Sequence, residues 1–251
     1  MKKTVSKKKK NEVMDSNHDG LVSTSEKFDY LEKSVTMLIK DEMPSLIIAG
    51  DAGVGKTFTV MKRLEEENVT NFKVIKGYCT PLGLYRNLYD NNGMILVFDD
   101  TDAVLEDKKT KNVLKAALDS YDTRKVSWNS TRLPEDLPDE FDFTGRIIFI
   151  TNKNLKDLDK ALISRSFTID MSLNAEQKVE RIEELKYKLR PDLDIKTKDQ
   201  IIKFFKENLK TIPNAAINLR AFDKIATIRK SNPENWVNMG LFVLRTEKHW
   251  S

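Results

Sequence analysis

The stretch SLIIAGDAGVGKT, residues 45–57, runs from four apolar residues, Leu46 to Ala49, into three glycines and a Lys-Thr pair. Its apolar part reads as a strand buried on both faces. The glycines let the backbone curl so that its N–H groups point inward, and the helical periodicity after Lys56 turns a helix N-terminus to the same space. Residues 50–57 fit the spacing G-x-x-x-x-G-K-T with a strand before it and a helix after. Such a loop is built for polyphosphate. Its amides suit phosphate oxygens, the Lys56 ammonium suits the outer phosphates of a triphosphate, and the Thr57 hydroxyl suits Mg²⁺. Gly50, Asp51, Ala52, Gly53, Val54, Gly55, Lys56, Thr57 and Phe58 are therefore candidate nucleotide contacts. The bland alternative is a glycine-rich turn that binds nothing, which leaves the acids downstream without a purpose.

Those acids are Asp99 and Asp100, which end the apolar run MILVF at 94–98. A strand ending beside the loop brings Asp99 to the Mg²⁺ ion, while Asp100 is the candidate general base for the attacking water. The commoner second acid at such a strand end is glutamate, one methylene longer. With aspartate, the water has to sit closer or a neighbour has to help. Asp102 reads as a helix cap.

Further strand candidates are FKVIKGY (72–78), RIIFIT (146–151) and FTIDM (167–171), and helical segments near 56–67, 81–90, 103–120 and 157–164 alternate with them. Thr80-Pro81 reads as an N-cap followed by proline at the first helical position. That alternation predicts an α/β core with a parallel sheet. From about residue 174 the strands stop, and helices near 175–189, 197–209 and 215–230 take over, punctuated by Pro191 and Pro213. The expected division is residues 1–24 as a basic tail, 25–172 as the nucleotide-binding core and 173–251 as a small helical domain.

Composition limits the function classes. A single cysteine, Cys79, excludes an intramolecular disulfide, and the N-terminal MKKTVSKKKK has no apolar run behind it to make a secretory signal. A soluble cytoplasmic protein is expected, with no membrane partner, in a host's cytoplasm if the chain is phage-encoded. The net charge of +4 is local: residues 1–10 hold six lysines and no acid, and setting them aside leaves 37 basic against 39 acidic residues. The tail is either a solvated end or a salt-sensitive attachment to phosphate backbones.

The order of these motifs resembles the AAA+ family of ring-forming P-loop ATPases over residues 45 to about 230. That likeness implies a five-stranded parallel sheet in the order 5-1-4-3-2 and a C-terminal helical lid. The strand RIIFITN ends in Asn152, which matches the polar sensor that helps place the water in such proteins. ALISRSFTID puts Arg165 where the family carries an arginine finger acting in trans, which implies a homo-oligomer, a hexamer by analogy. AINLRAFDKI puts Arg220 near the start of a lid helix, similar to the family's second sensor.

The sequence FDD, then KAALDSYDTRKVSWNSTR, then FITN is similar to one branch in particular, the viral-type superfamily 3 helicases. These also end the strand in two acids and set a basic hairpin before the first sensor. By that resemblance Lys125, Trp128 and Arg132 are candidate contacts to single-stranded DNA, cations for phosphates and an aromatic face for bases. The resemblance implies ATP and Mg²⁺ as ligands, catalytic roles for Lys56, Asp100, Asn152 and Arg165, and work on DNA or on replication proteins. Two other functions remain open: a protein remodeller gripping polypeptide with Tyr78, and a nucleotide-gated switch with little turnover.

A separate signal lies at DSNHDGLVSTSE, residues 15–26, which fits the calcium loop of an EF-hand. Asp15, Asn17, Asp19, the Leu21 carbonyl, Ser23 and Glu26 are its candidate Ca²⁺ ligands. Residues Ser23 to Glu26 equally read as a capping box opening the helix EKFDYLEKSVTMLI. His18 and His249 have no ligand-like companions, so no zinc site is expected.

Overall fold

The computed structural model describes residues 22–119, 123–129 and 133–246. Helix α1 (Thr24–Ile39) opens with the expected capping box, in which Ser23 and Glu26 satisfy each other's backbone N–H groups. The chain then alternates through β1 (Ser45–Ala49), α2 (Lys56–Glu66), β2 (Phe72–Lys76), α3 (Pro81–Asp90) and β3 (Ile95–Asp99). Thr80 caps α3 by accepting from the Gly83 N–H, with Pro81 in the first turn. A short hairpin of β4 (Lys125–Ser127) and β5 (Glu140–Asp142) precedes β6 (Arg146–Ile150) and β7 (Phe167–Asp170).

The five long strands form one parallel sheet in the order β2-β3-β6-β1-β7. Numbering only those five along the chain gives 5-1-4-3-2 from the other edge. Residues alternate sides along each central strand. On β3, Leu96 and Phe98 join a core under α3 and the helix α4 (Lys108–Ala117), while Ile95 and Val97 join a core under α1 and α2. Because both faces are covered, the run reads as uninterrupted hydrophobicity in the sequence. Phe98 stacks on Phe149 of β6 with centroids 5.7 Å apart, at the centre of the first core.

One segment differs from the expected helix at 103–120. A 3₁₀ turn over Asp102–Leu105 comes first, and α4 starts only at Lys108. Asp107 caps it through the Thr110 N–H, so the cap role expected of Asp102 belongs to Asp107. Asp102 instead opens the 3₁₀ turn, with one carboxylate oxygen buried and without a hydrogen bond.

Beyond β7 the chain is helical: α6 (Ala175–Leu185, after the short α5, Lys160–Ile163), α7 (Ile195–Glu207), α8 (Leu219–Ser231) and α9 (Trp236–Thr246). Ile182, Phe205, Phe222 and Leu244 centre a third core belonging to these helices. The fourth helix, α9, packs on α8 across Gly240, where an added Cβ would lie 2.9 Å from the Ile225 side chain. The helical part is fixed to the sheet through α1: Thr24 donates to Glu180 at 2.8 Å, and the Arg181 guanidinium lies 3.5 Å from the Phe28 ring centroid. Among the described residues, no helix is long and apolar enough to cross a membrane.

Phe98 is fully buried between two strand neighbours and the first core. Phe98→Ala is expected to lower unfolding free energy by about 3–5 kcal/mol, read by urea denaturation.

Candidate active site

Three strands deliver the site at their carboxyl ends, on one edge of the sheet. Between β1 and α2 the loop turns at Gly50, Gly53 and Gly55, with φ of 129°, 71° and 104°. Gly50 also has no room for a side chain, since a Cβ there would lie 2.4 Å from the Met171 carbonyl carbon. Val54 is buried and pins the loop to the core beneath it. Gly55 caps α2 without a side-chain hydrogen bond, so the helix end presents its first N–H groups to an incoming anion.

The side chains around this loop form a connected network. Lys56 is almost fully buried, and its ammonium donates to the carbonyls of Gly50 (2.8 Å) and Asp51 (2.7 Å) and to Asn152 Oδ1 (3.1 Å). The other end of the Asn152 amide donates to Asp100 Oδ1 at 3.0 Å. Asn152 therefore ties the loop lysine to the second aspartate. Thr57 donates its hydroxyl to Asp99 Oδ1 at 2.7 Å. The pair is hard oxygen on a buried strand end, the donor set that Mg²⁺ takes, so these residues fit the ion the loop implies. Phe58, Leu219 and Arg220 line the same cleft. A hollow along α1 and α2 is also lined by charged side chains, among them Asp29, Glu32, Lys33 and Arg63, but among the described residues no glycine loop or strand end opens into it.

Asp100 adopts φ +54°, the left-handed region. For most L-residues that costs about 1–2 kcal/mol, and Asp and Asn tolerate it best because their short polar side chains find local partners. This gives a reason for the second aspartate. The backbone turns sharply after β3 to aim the carboxylate at Asn152, and a longer glutamate suits that turn less well.

Two contacts within the site come from lysines the sequence did not single out. Asp51 Oδ2 accepts from the Leu173 N–H at 2.9 Å and from the buried Lys178 ammonium at 3.1 Å. Lys76, at the end of β2, lies 3.0 Å from Asp99 Oδ2. Neither pairing has a local motif, because each depends on which elements become neighbours. A lysine four residues into a helix looks like a solvated charge.

The remaining candidates divide. Arg220 sits beside the loop, at the start of α8, whose Leu219 N–H donates to the Gly53 carbonyl at 3.0 Å. Arg165 lies away from this cleft, partly exposed after α5, donating to Asp119 (3.3 Å) and the Ala161 carbonyl (3.0 Å). The expected hairpin is present as β4 and β5. Trp128 packs half-buried on the core with its ring 5.4 Å from Tyr85, and it also lines a hollow beside Lys109 and Asn112. Lys125 is paired with Glu140 across the strands at 2.9 Å. Arg132 lies outside the described residues, as do Asp15, Asn17, Asp19 and Leu21 of the calcium-loop motif. Glu26 of that motif is occupied by Ser23, whose N–H and hydroxyl it accepts at 2.9 and 2.7 Å. Its carboxylate serves the capping box, and nothing else in the described residues supports Ca²⁺.

Comparison with known proteins agrees with this geometry at the level of fold. A Walker-type ATPase of Pyrococcus abyssi superposes with a TM-score of 0.50 over 90% of this chain and 73% of its own length, at 13% identity. That likeness shows a P-loop ATPase fold. An uncharacterized 36.7 kDa protein of Enterobacteria phage T4, from the nrdC-mobD intergenic region, is 34% identical over 186 residues, 67% of this chain. The chain spans 57% of the length of that relative. No protein-family model matches.

Burial pushes the Lys56 ammonium down to about 8, against the opposing pull of Asp51, Asp100, Asp102 and Asp99. Polyphosphate favours the charged form, so binding has to supply a proton wherever Lys56 is neutral. Affinity for Mg·ATP is therefore expected to be flat below pH 8 and to fall above it. Calorimetry in buffers of different ionisation enthalpy should show uptake approaching one proton near pH 9 and little near pH 7.

Proposed function

We propose that the chain is a Mg²⁺-dependent ATP hydrolase of AAA+ type, acting as a ring of copies, a hexamer by analogy, that drives work on DNA as a helicase or a loader of replication proteins. The observation that carries the hydrolase reading is the chain of contacts Lys56–Asn152–Asp100, which joins a phosphate-binding cation to a carboxylate through one amide. The loop amides of residues 50–57 and the Lys56 ammonium hold the phosphates, with Arg220 reaching in from α8. Thr57 and Asp99 would hold the Mg²⁺ ion, which when bound would supply neutralisation of the triphosphate charge. Asp100 orients the attacking water and takes its proton, and Asn152 keeps the carboxylate aimed. The aspartate's shorter reach is met by that neighbour.

Arg165 serves a second copy. Its position outside its own cleft supports action on a neighbour's γ-phosphate, for which a guanidinium that stays charged and presents a planar fork is suited. The assignment to DNA rests on motif order, two acids followed by a hairpin and an Asn-ending strand. Lys125 and the lysine-rich tail are the cations that would meet a phosphate backbone. A second reading is favoured by Tyr78, which is 82% exposed just past the edge strand β2. That placement suits a polypeptide grip.

Asp100→Asn is expected to lower steady-state phosphate release by about 10²- to 10⁴-fold while keeping Mg·ATP binding. Mixing Arg165→Ala with Lys56→Ala protein, each inactive alone, should restore partial turnover if the arginine acts between copies. Single-stranded DNA should stimulate turnover. A rate indifferent to DNA but altered by Tyr78→Ala on a protein substrate would favour the second reading instead.

A further inference from the structure

Strand β2 is the outer edge of the sheet on that side, and its last residue, Lys76, lies in register with Asp99. The Lys76 side chain is 62% exposed, yet its ammonium lies 3.0 Å from Asp99 Oδ2, on a carboxylate only 6% exposed. The other Asp99 oxygen takes the Thr57 hydroxyl. Both oxygens of the proposed metal ligand thus already have a donor from this chain. An exposed ion pair is worth little, but a buried carboxylate left without a partner is costly. Lys76 supplies that partner. A divalent cation on the same carboxylate would supply it with twice the charge, and two cations on one carboxylate repel. Lys76 has open solvent to move into.

The backbone just beyond Lys76 makes such a movement consequential. Gly77 has φ +79° and nothing within 4 Å of where a side chain would be, and Tyr78 after it is largely exposed. Besides the β2–β3 ladder, the Lys76 side chain joins this loop to the site. We propose that Lys76 is a built-in counter-cation of Asp99 that gives way when a divalent cation arrives with triphosphate, and that its release frees the Gly77–Tyr78 segment. Lys76 is then a positioning residue that couples metal loading to the edge loop. The proposal rests on the reading of the cleft as a Mg²⁺–nucleotide site. Linkage makes the coupling reciprocal: whatever loosens Lys76 tightens the metal.

Mn²⁺ with a non-hydrolysable ATP analogue tests this on the full chain. The paramagnetic signal of free Mn²⁺ reads metal affinity, and the rate of chymotryptic cleavage after Tyr78 reads the loop. Lys76→Gln is expected to tighten Mn²⁺ binding roughly three- to tenfold, the scale of removing one like charge from a partly solvated site. It should leave binding of the metal-free analogue unchanged. The unsubstituted protein should be cut faster at Tyr78 once metal and analogue are present, whereas Lys76→Gln should be cut fast throughout, with Lys76→Arg restoring the dependence. Equal or weaker Mn²⁺ affinity in Lys76→Gln, or loss of its metal-free analogue binding, overturns the proposal; so does cleavage at Tyr78 that ignores metal in the parent. Asp99→Asn that still binds Mn²⁺ as the parent does would overturn the metal assignment as well, which separates the two failures.

Discussion

A buried ammonium has to be surrounded by oxygen, and the site is arranged around meeting that need for Lys56. Two carbonyls come from the curled loop and one amide oxygen from Asn152 at the end of β6. The same amide then fixes Asp100 at the end of β3. One side chain, standing on the strand between the loop-bearing strand and the acid-bearing strand, thereby sets the distance between the loop ammonium and a carboxylate. The sheet order makes this possible, because β6 lies between β1 and β3.

Much of this was legible in the sequence because the informative signals are local. Buried strands show as apolar runs, the loop shows as glycines at a fixed spacing, and Thr80-Pro81 and Ser23–Glu26 announce their helices by capping chemistry. The illegible parts depend on tertiary neighbours. The left-handed turn at Asp100 has no glycine to mark it, and its aspartate looked like a shortened glutamate. Trp128 looked like a free aromatic on a basic hairpin, yet Tyr85, Tyr89 and Phe141 form an aromatic cluster into which its ring fits. Residues 103–120 carry helical periodicity throughout, and the break appears only because Asp107 caps a later start.

The helical part is more than an appendage to the sheet. It reaches the loop at residues 51 and 53, through Lys178 and through the Leu219 N–H. Lys178 is 2% exposed, and its remaining bond goes to the Asn214 carbonyl, so its charge is balanced by the loop's own aspartate. Asp51 in turn stands between Lys178 and Lys56, the strongest of the carboxylates opposing the downward push on Lys56. The charge on the loop is thus set jointly by both parts of the chain.

The close approach at Gly50 has a mechanical consequence. The first glycine of the loop lies against the backbone of Met171 and Ser172, where the chain leaves the sheet for the helices. With no side chain between them to act as a cushion, these two segments behave as a single joint. Swinging the helical part about that crossing would lever the glycine loop directly, with backbone pressing on backbone and no intervening gears.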